Sequence, residues 1–240
     1  MMLNIQNLTE LFPYNLAREY LHKLSSTPAL LRRGWDSRRQ LIHFGKRLHE
    51  QFFVSATDGN LSVRLDEQTI LATPTGLCKG MMLAKDLVVI DLAGNRLKGC
   101  RKVSSEIDMH LMIYRRRPDI CAIIHAHPCT ATGFASAGLA LNEPLCSELL
   151  MTLGEVPLAP YGTPGTIELS EALLPFVPKH NAVLMANHGV VAYGKTLLEA
   201  YQRLEAVEHF ARIVLVTHLL GQKRLLSEAD IEKLLVTKKQ

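Results

Sequence analysis

The chain has 240 residues, 48% of them hydrophobic and 21% charged, with a formal net charge of +4. That is the composition of one globular domain with a substantial core, and the charge is too mild to argue for a nucleic-acid surface. The N-terminus has no basic segment followed by an apolar run, which excludes a secretory signal. The five cysteines (Cys78, Cys100, Cys121, Cys129, Cys146) are odd in number, scattered and without a CxxC pair, which reads as reduced thiols in a cytoplasmic protein.

In chain order, residues 13–24 read as a short helix and residues 28–34 (PALLRRG) as a connection. From Trp35 to Phe53 the apolar positions Leu41, Ile42, Gly45, Leu48 and Phe52 recur at helical spacing. The turn signal TDGN follows, then two strands in LSVRL and TILAT, and a third in LVVID that AGN stops. Ser104 is placed to cap a helix reaching Arg116, with Pro118 beyond its end; Arg115, Arg116 and Arg117 read as the solvated end of that helix. CAIIHAH reads as a strand, 129–139 as a helix, VPLAPY as a short strand and TIELSEALLPFV as a helix. AVLMANHG is a strand with a turn and VVAYG another strand. A long amphipathic helix spans Thr196 to Leu220 and a last short one follows SEAD. Glu208, His209, Arg212 and His218 interrupt the most apolar helix, so no segment reads as membrane-spanning. No linker or repeat divides the chain. Strands adjacent in sequence, mixed with helices, predict an α/β fold with a mixed sheet covered by helices.

The chemistry concentrates where strands end. His125 and His127 are two apart on a strand, so both rings share a face and can chelate one divalent ion. His188, also after an apolar run and followed by Gly189, is the best third ligand. Three neutral imidazoles leave a coordination position open, the pattern of a catalytic metal site. The structural alternative is that these are ordinary partly buried histidines, the reading given to His22, His43, His49, His180, His209 and His218. Glu106, at a helix start, is a candidate fourth ligand or proton carrier; two residues from Ser104, it fits a capping box poorly. His110 lies on the same helical face as Glu106 and reads as either a support to the site or a packed structural histidine. Gly59 and Asn60 of TDGN, Thr75 and Gly76 of TPTG, and Ser104 and Ser105 of SSE supply turn N–H groups, hydroxyls and a helix N-terminus that together can hold a phosphate.

The stretches DGNLSVR, TPTG, SSEIDMH, IIHAHP, VPLAPYGTPGT and NHGVVAYG, in this order between Ser37 and Leu220, resemble the class II aldolase/adducin family. The resemblance implies a three-layer α/β/α sandwich around a mixed, mostly antiparallel sheet, with 35–240 as the family domain and 1–34 as a helical N-terminal extension. It implies a homotetramer with a site near each subunit interface, and zinc (or manganese, iron or cobalt) on His125, His127 and His188. It assigns Gly59, Asn60, Thr75, Gly76, Ser104 and Ser105 to a substrate phosphate, and makes Glu106 the resting fourth ligand and the catalytic base. The expected activity is a cytoplasmic, metal-dependent lyase that cleaves a ketose 1-phosphate into dihydroxyacetone phosphate and an aldehyde, with sugar-phosphate dehydration or epimerisation, or a non-catalytic adducin-like module, as alternatives. Two departures stand out. Glu148 occupies the region where fuculose-phosphate aldolases carry a tyrosine, and no tyrosine follows Tyr201. A glutamate near position 148 resembles the dehydratases, where it is the acid/base, so Glu148 is a second catalytic candidate.

Overall fold

The computed structural model describes residues 29–237. The helix expected over 13–24 lies outside them. Helix α1 runs Ala29–Glu50, so the segment read as a connection is helical from its second residue. Ala, Leu and Arg are strong helix formers, and one Gly34 costs about 1 kcal/mol, too little to stop the helix.

Eight strands form one sheet in the order β4-β3-β2-β1-β5-β8-β7-β6. They are β1 (Asn60–Arg64), β2 (Thr69–Ala72), β3 (Val88–Asp91), β4 (Arg96–Lys98), β5 (Ala122–Ala126), β6 (Leu158–Ala159), β7 (Ala182–Met185) and β8 (Gly189–Gly194). Every neighbouring pair is antiparallel except β6 with β7. The sheet is therefore mixed and mostly antiparallel, as expected. Strand β4, RLK, is exposed throughout. With no buried alternation it carries no strand signal in the sequence, and pairing with β3 alone defines it.

Alternation along the strands divides the core between two layers of helix. One face buries Leu61, Leu71, Ala122, Ile124 and Val190 against α1, α3 (Cys129–Ser136) and α6 (Leu197–Leu220). The other buries Ile70, Ile90, Ile123, Val183 and Tyr193 against α2 (Ile107–Arg116) and α5 (Ile167–Leu173). This is the three-layer α/β/α architecture. Two smaller helices, α4 (Ser147–Thr152) and α7 (Glu228–Thr237), complete the chain. The first was not legible in sequence; six residues are too few to show a helical period.

Helix α6 begins as expected: the Thr196 hydroxyl accepts from the Glu199 N–H. Helix α2 does not. Its N-cap is Glu106 rather than Ser104. The Ser104 hydroxyl accepts from the N–H of Glu106 itself at 3.3 Å, two residues ahead of the helix's own cap position.

Glu208, in the middle of α6, is buried and reaches across to the start of α3. Its carboxylate accepts from Thr130 N–H (3.2 Å), the Thr130 hydroxyl (2.8 Å) and Ala131 N–H (2.9 Å), with Arg212 at 3.0 Å. A residue from another helix thus caps α3 and fixes the chain directly after His127-Pro128. Glu208→Ala strands those donors in the core and is expected to cost about 2–3 kcal/mol. Thermal melts followed by circular dichroism check this: the midpoint falls by roughly 5–10 °C, and an unchanged midpoint refutes the cap.

Candidate active site

The site lies where β1 and β8 begin and β5 ends. The register sets Asn60 opposite His125, and His125 opposite Val191. Antiparallel pairing therefore gathers three chain segments, far apart in sequence, at one edge of the sheet. Two glycines permit the approach. A Cβ on Gly59 (φ +70°) would lie 2.8 Å from the His125 carbonyl oxygen, and one on Gly189 would lie 2.7 Å from that of Ala126. Between β7 and β8, Asn187 takes φ +54°, a left-handed conformation that asparagine tolerates, and the turn delivers His188 beside the other two rings.

His125, His127 and His188 each offer a ring nitrogen within 4.8 Å of the others. His125 is fully buried. Its Nδ1 lies 2.9 Å from the Val190 carbonyl oxygen, which can only accept, so Nδ1 carries the proton. Its Nε2 lone pair then points at His127 Nε2, 3.0 Å away, and at Glu106 Oε2, 3.2 Å away. His188 Nε2 lies 3.1 Å from Glu106 Oε1. Lone pairs and a carboxylate this close repel unless a cation sits among them. Three imidazoles and one carboxylate suit a divalent transition metal, with Val190 fixing one ring as a backbone carbonyl typically does for a metal-binding histidine.

Electrostatics agree with that charge distribution. Burial pushes the Glu106 carboxyl up, but positive charge at the His125 and His188 positions, where a bound cation would sit, outweighs it and holds the group far below the usual carboxylate range. Burial, reinforced by the neighbouring rings, lowers His127 to about 3, so it stays neutral and able to ligate.

A cavity of about 330 Å³ opens beside the rings. Gly59, Asn60, Thr75, Gly76, Ser104 and Ser105, the six residues expected around a phosphate, all line it, together with Glu106, His127 and His188. Glu148 does not. It is exposed on α4, a helix that packs on α6 and α7 at the opposite face of the sheet from Glu106.

Lys79 was not singled out in the sequence, yet it lines the same cavity. It is 1% exposed, and its ammonium donates to the Thr57 and Leu77 carbonyls at 2.7 Å each. Burial lowers its pKa, opposed by Cys78 and Asp58. It is bonded to neutral oxygens, so an anion in the cavity would complete its charge. A lysine after TPTGLC gives no sequence sign of burial, because most lysines are solvated. The buried network behind Glu106 was equally hidden: His110 meets Asn60 and Ser62, and Ser62 meets Tyr114.

A family model described as the class II aldolase and adducin N-terminal domain matches residues 39–215. The chain belongs to that family. It is 37% identical over 199 residues to a 5-deoxy-D-ribulose 1-phosphate aldolase of Bacillus thuringiensis, covering 82% of this chain and 92% of that one. It is 34% identical over 216 residues to a 3-oxo-tetronate 4-phosphate decarboxylase of Pectobacterium atrosepticum, covering 88% and 97%. A solved L-fuculose 1-phosphate aldolase superposes with a TM-score of 0.79 at 36% identity, covering 85% and 97%. These relatives are enzymes that act on phosphorylated sugars or sugar acids. The decarboxylase adds a reaction that sequence reasoning had not considered. No helix among the described residues is long and apolar enough to cross a membrane.

The buried histidines make stability depend on pH. His110 is fully buried and burial lowers it to about 3, while an unfolded histidine titrates near 6.5. The unfolded chain therefore takes up the proton first, and stability present above pH 6.5 is lost as the pH falls toward 3. His127 acts in the same sense. For metal-free protein, His110 alone is expected to cost about 2–3 kcal/mol between pH 7.5 and 4.5. Urea titrations across that range check it; a flat stability profile would show the ring open to protons.

Proposed function

We propose that the protein is a divalent-metal-dependent lyase that breaks a carbon–carbon bond beside the ketone of a sugar phosphate. The reading preferred is cleavage of a ketose 1-phosphate into dihydroxyacetone phosphate and an aldehyde. The observation that carries it is the convergence of three imidazoles and Glu106 at the mouth of a cavity lined by turn residues, hydroxyls and Lys79.

His125, His127 and His188 would hold the ion, with zinc, manganese, iron and cobalt all compatible with these ligands, and Glu106 as the fourth at rest. When bound, the ion supplies Lewis-acid stabilisation of negative charge on the ketone oxygen and its neighbour. The chain's own residues do the rest. Ser104, Ser105, Thr75, Gly76, Gly59 and Asn60 would hold the phosphate, with the Lys79 ammonium opposite its charge, and so fix the reacting carbons. Glu106 would take the proton of the C4 hydroxyl as the C3–C4 bond breaks to give the C4 aldehyde, the bonding pair would become an enediolate over C2 and C3, and Glu106 would return the proton to C3. Glu106 suits that role because it is largely enclosed and flanked by three rings. The protein would act in the cytoplasm as a homotetramer of one family domain, 35–240, behind an N-terminal extension. Glu148 would contribute only from outside this subunit's own cavity.

A second reading, decarboxylation, is supported by the 34% identity over nearly the full length of the 3-oxo-tetronate 4-phosphate decarboxylase. A 3-oxo acid of that type loses carbon dioxide instead of an aldehyde and leaves the same enediolate. Metal-loaded protein incubated with ketose 1-phosphates and with 3-oxo-tetronate 4-phosphate separates the two. Dihydroxyacetone phosphate with an aldehyde supports the aldolase; carbon dioxide supports the decarboxylase. An intact carbon skeleton with every substrate refutes both.

Two substitutions test the residues. Glu106→Gln is expected to keep fold and bound metal while turnover falls at least about 100-fold, the scale of a general acid–base group; near-normal turnover would remove Glu106 as base. Lys79→Met is expected to raise KM for the phosphorylated substrate on the order of 10- to 100-fold, the scale of one charge-assisted hydrogen bond, with kcat little changed. Steady-state kinetics check both, and an unchanged KM would leave Lys79 as a loop clamp only.

A further inference from the structure

Behind Glu106 runs a buried chain of hydrogen bonds that the proposed reaction does not use. Asn60 Nδ2 donates to Glu106 Oε2 at 2.8 Å. Asn60 Oδ1 lies 2.5 Å from His110 Nε2. His110 Nδ1 lies 2.6 Å from Ser62 Oγ, and Ser62 Oγ lies 2.9 Å from the Tyr114 hydroxyl. Asn60, Ser62, His110 and Tyr114 are all at most 4% exposed.

The geometry of the two elements makes this chain possible. Glu106, His110 and Tyr114 are spaced by four along α2, a rise of about 6 Å per step. Asn60 and Ser62 are spaced by two along β1, a rise of about 6.7 Å. The two ladders nearly match, so each helix side chain falls beside its strand partner.

The direction of every bond follows from chemistry. An ionised Glu106 accepts only, so the Asn60 nitrogen must face it and the Asn60 oxygen must face His110. That oxygen accepts, so His110 Nε2 must carry a proton. A neutral ring then has a lone pair at Nδ1, which takes the Ser62 proton, and Ser62 takes that of Tyr114. Burial lowers His110 to about 3 and pushes the Tyr114 phenol up, so neither group changes charge near neutral pH. Each donor points toward Glu106, and reversing any one bond would leave two donors or two acceptors facing each other.

We propose that His110 is a positioning residue: held as the Nε2–H tautomer by Ser62 and Tyr114, it locks the Asn60 amide so that its nitrogen stays on Glu106 and the carboxylate keeps one orientation toward His125 and His188. A flipped amide would set a carbonyl oxygen against the carboxylate. This rests on the reading of Glu106 as the base, and the test separates the two.

The first measurement needs no turnover and no variant. Nitrogen-15 NMR of histidine-labelled, metal-loaded full-length protein reads which ring nitrogen of His110 is protonated from pH 5.5 to 8. A proton on Nε2 throughout is expected; a proton on Nδ1, or a ring that titrates in this range, overturns the proposal whatever the enzyme's substrate. The second is a double-mutant cycle on whichever substrate the protein turns over. His110→Leu is expected to lower kcat about 10- to 100-fold, the usual cost of losing the support behind a metal ligand, with KM within about threefold. In an Asn60→Leu background the same change is expected to cost less than about threefold, because His110 acts only through Asn60. Losses that multiply, or a loss confined to KM, refute the lock. Absence of turnover with every substrate would refute the lyase reading while leaving the tautomer result to decide the lock.

Discussion

Antiparallel register is the constraint on which the site depends. Because Asn60 pairs with His125, and His125 with Val191, three segments about 65 residues apart in sequence meet where these strands end or begin. A slip of one residue in β5 would turn His125 onto the face that packs α1, α3 and α6 and turn Ile124 toward Glu106. Register is therefore held hard: Ile123 and Ile124 are both fully buried on opposite faces, and neither face can accept the other's polar neighbour. The apolar core holds the site's residues in register, and each glycine at the strand ends relieves a backbone collision that the register creates.

Polar groups in the second layer then solve a problem that register alone leaves open. A carboxylate placed among three rings needs a defined direction, and it cannot be buried without hydrogen bonds. Asn60, from the sheet, donates one to Glu106, and the Val190 carbonyl, by accepting from His125 Nδ1, fixes the tautomer of the neighbouring ring. Both act on groups that never leave the interior. The outward half of the cavity is different in kind: Thr75, Gly76 and Ser105 are exposed, and the charge that faces them comes from Lys79 beneath. The inner half thus has fixed polarity, while the outer half sets exposed turn residues, Asp58 among them, over a buried cation.

What the sequence made legible follows the same division. The HxH pair showed because strand period is two and both rings sit at the end of an apolar run. The TDGN, TPTG and SSE turns showed because turn residues are chemically distinctive, and all six residues drawn from them line one cavity. Lys79 was hidden because a lysine's burial depends on the loops around it, here the carbonyls of Thr57 and Leu77. His110 could be placed on the face of Glu106 by its spacing, but its partners Ser62 and Tyr114 lie on different elements, and no one-dimensional pattern joins them. The N-terminal limit of α1 was misplaced for a local reason: PALLRRG reads as a connection, although the helix formers in it outweigh a single glycine. Glu148 shows what a motif does not carry: its resemblance to an acid/base position gave no information about which face of the sheet α4 would join.

The shared chemistry of the relatives bears on the proposed reading, in which the cavity residues serve one half of the reaction. An aldolase acting on a ketose 1-phosphate and a decarboxylase acting on a 3-oxo-tetronate 4-phosphate differ in the group that departs, an aldehyde or carbon dioxide. They agree in what stays: a phosphate, a ketone one carbon away, and an enediolate. On the proposed reading, the residues gathered here address what stays: the hydroxyls, the turn N–H groups and Lys79 would face the phosphate, the imidazoles the ketone oxygens, and Glu106 the carbon that gains a proton. Under that reading the departing group can change without disturbing any of these, provided the change falls elsewhere on the cavity wall. Pro164 lines the cavity next to Gly165, whose φ of +75° sets it beside Ser105, so this part of the rim belongs to the end assigned to the phosphate and not to the departing group.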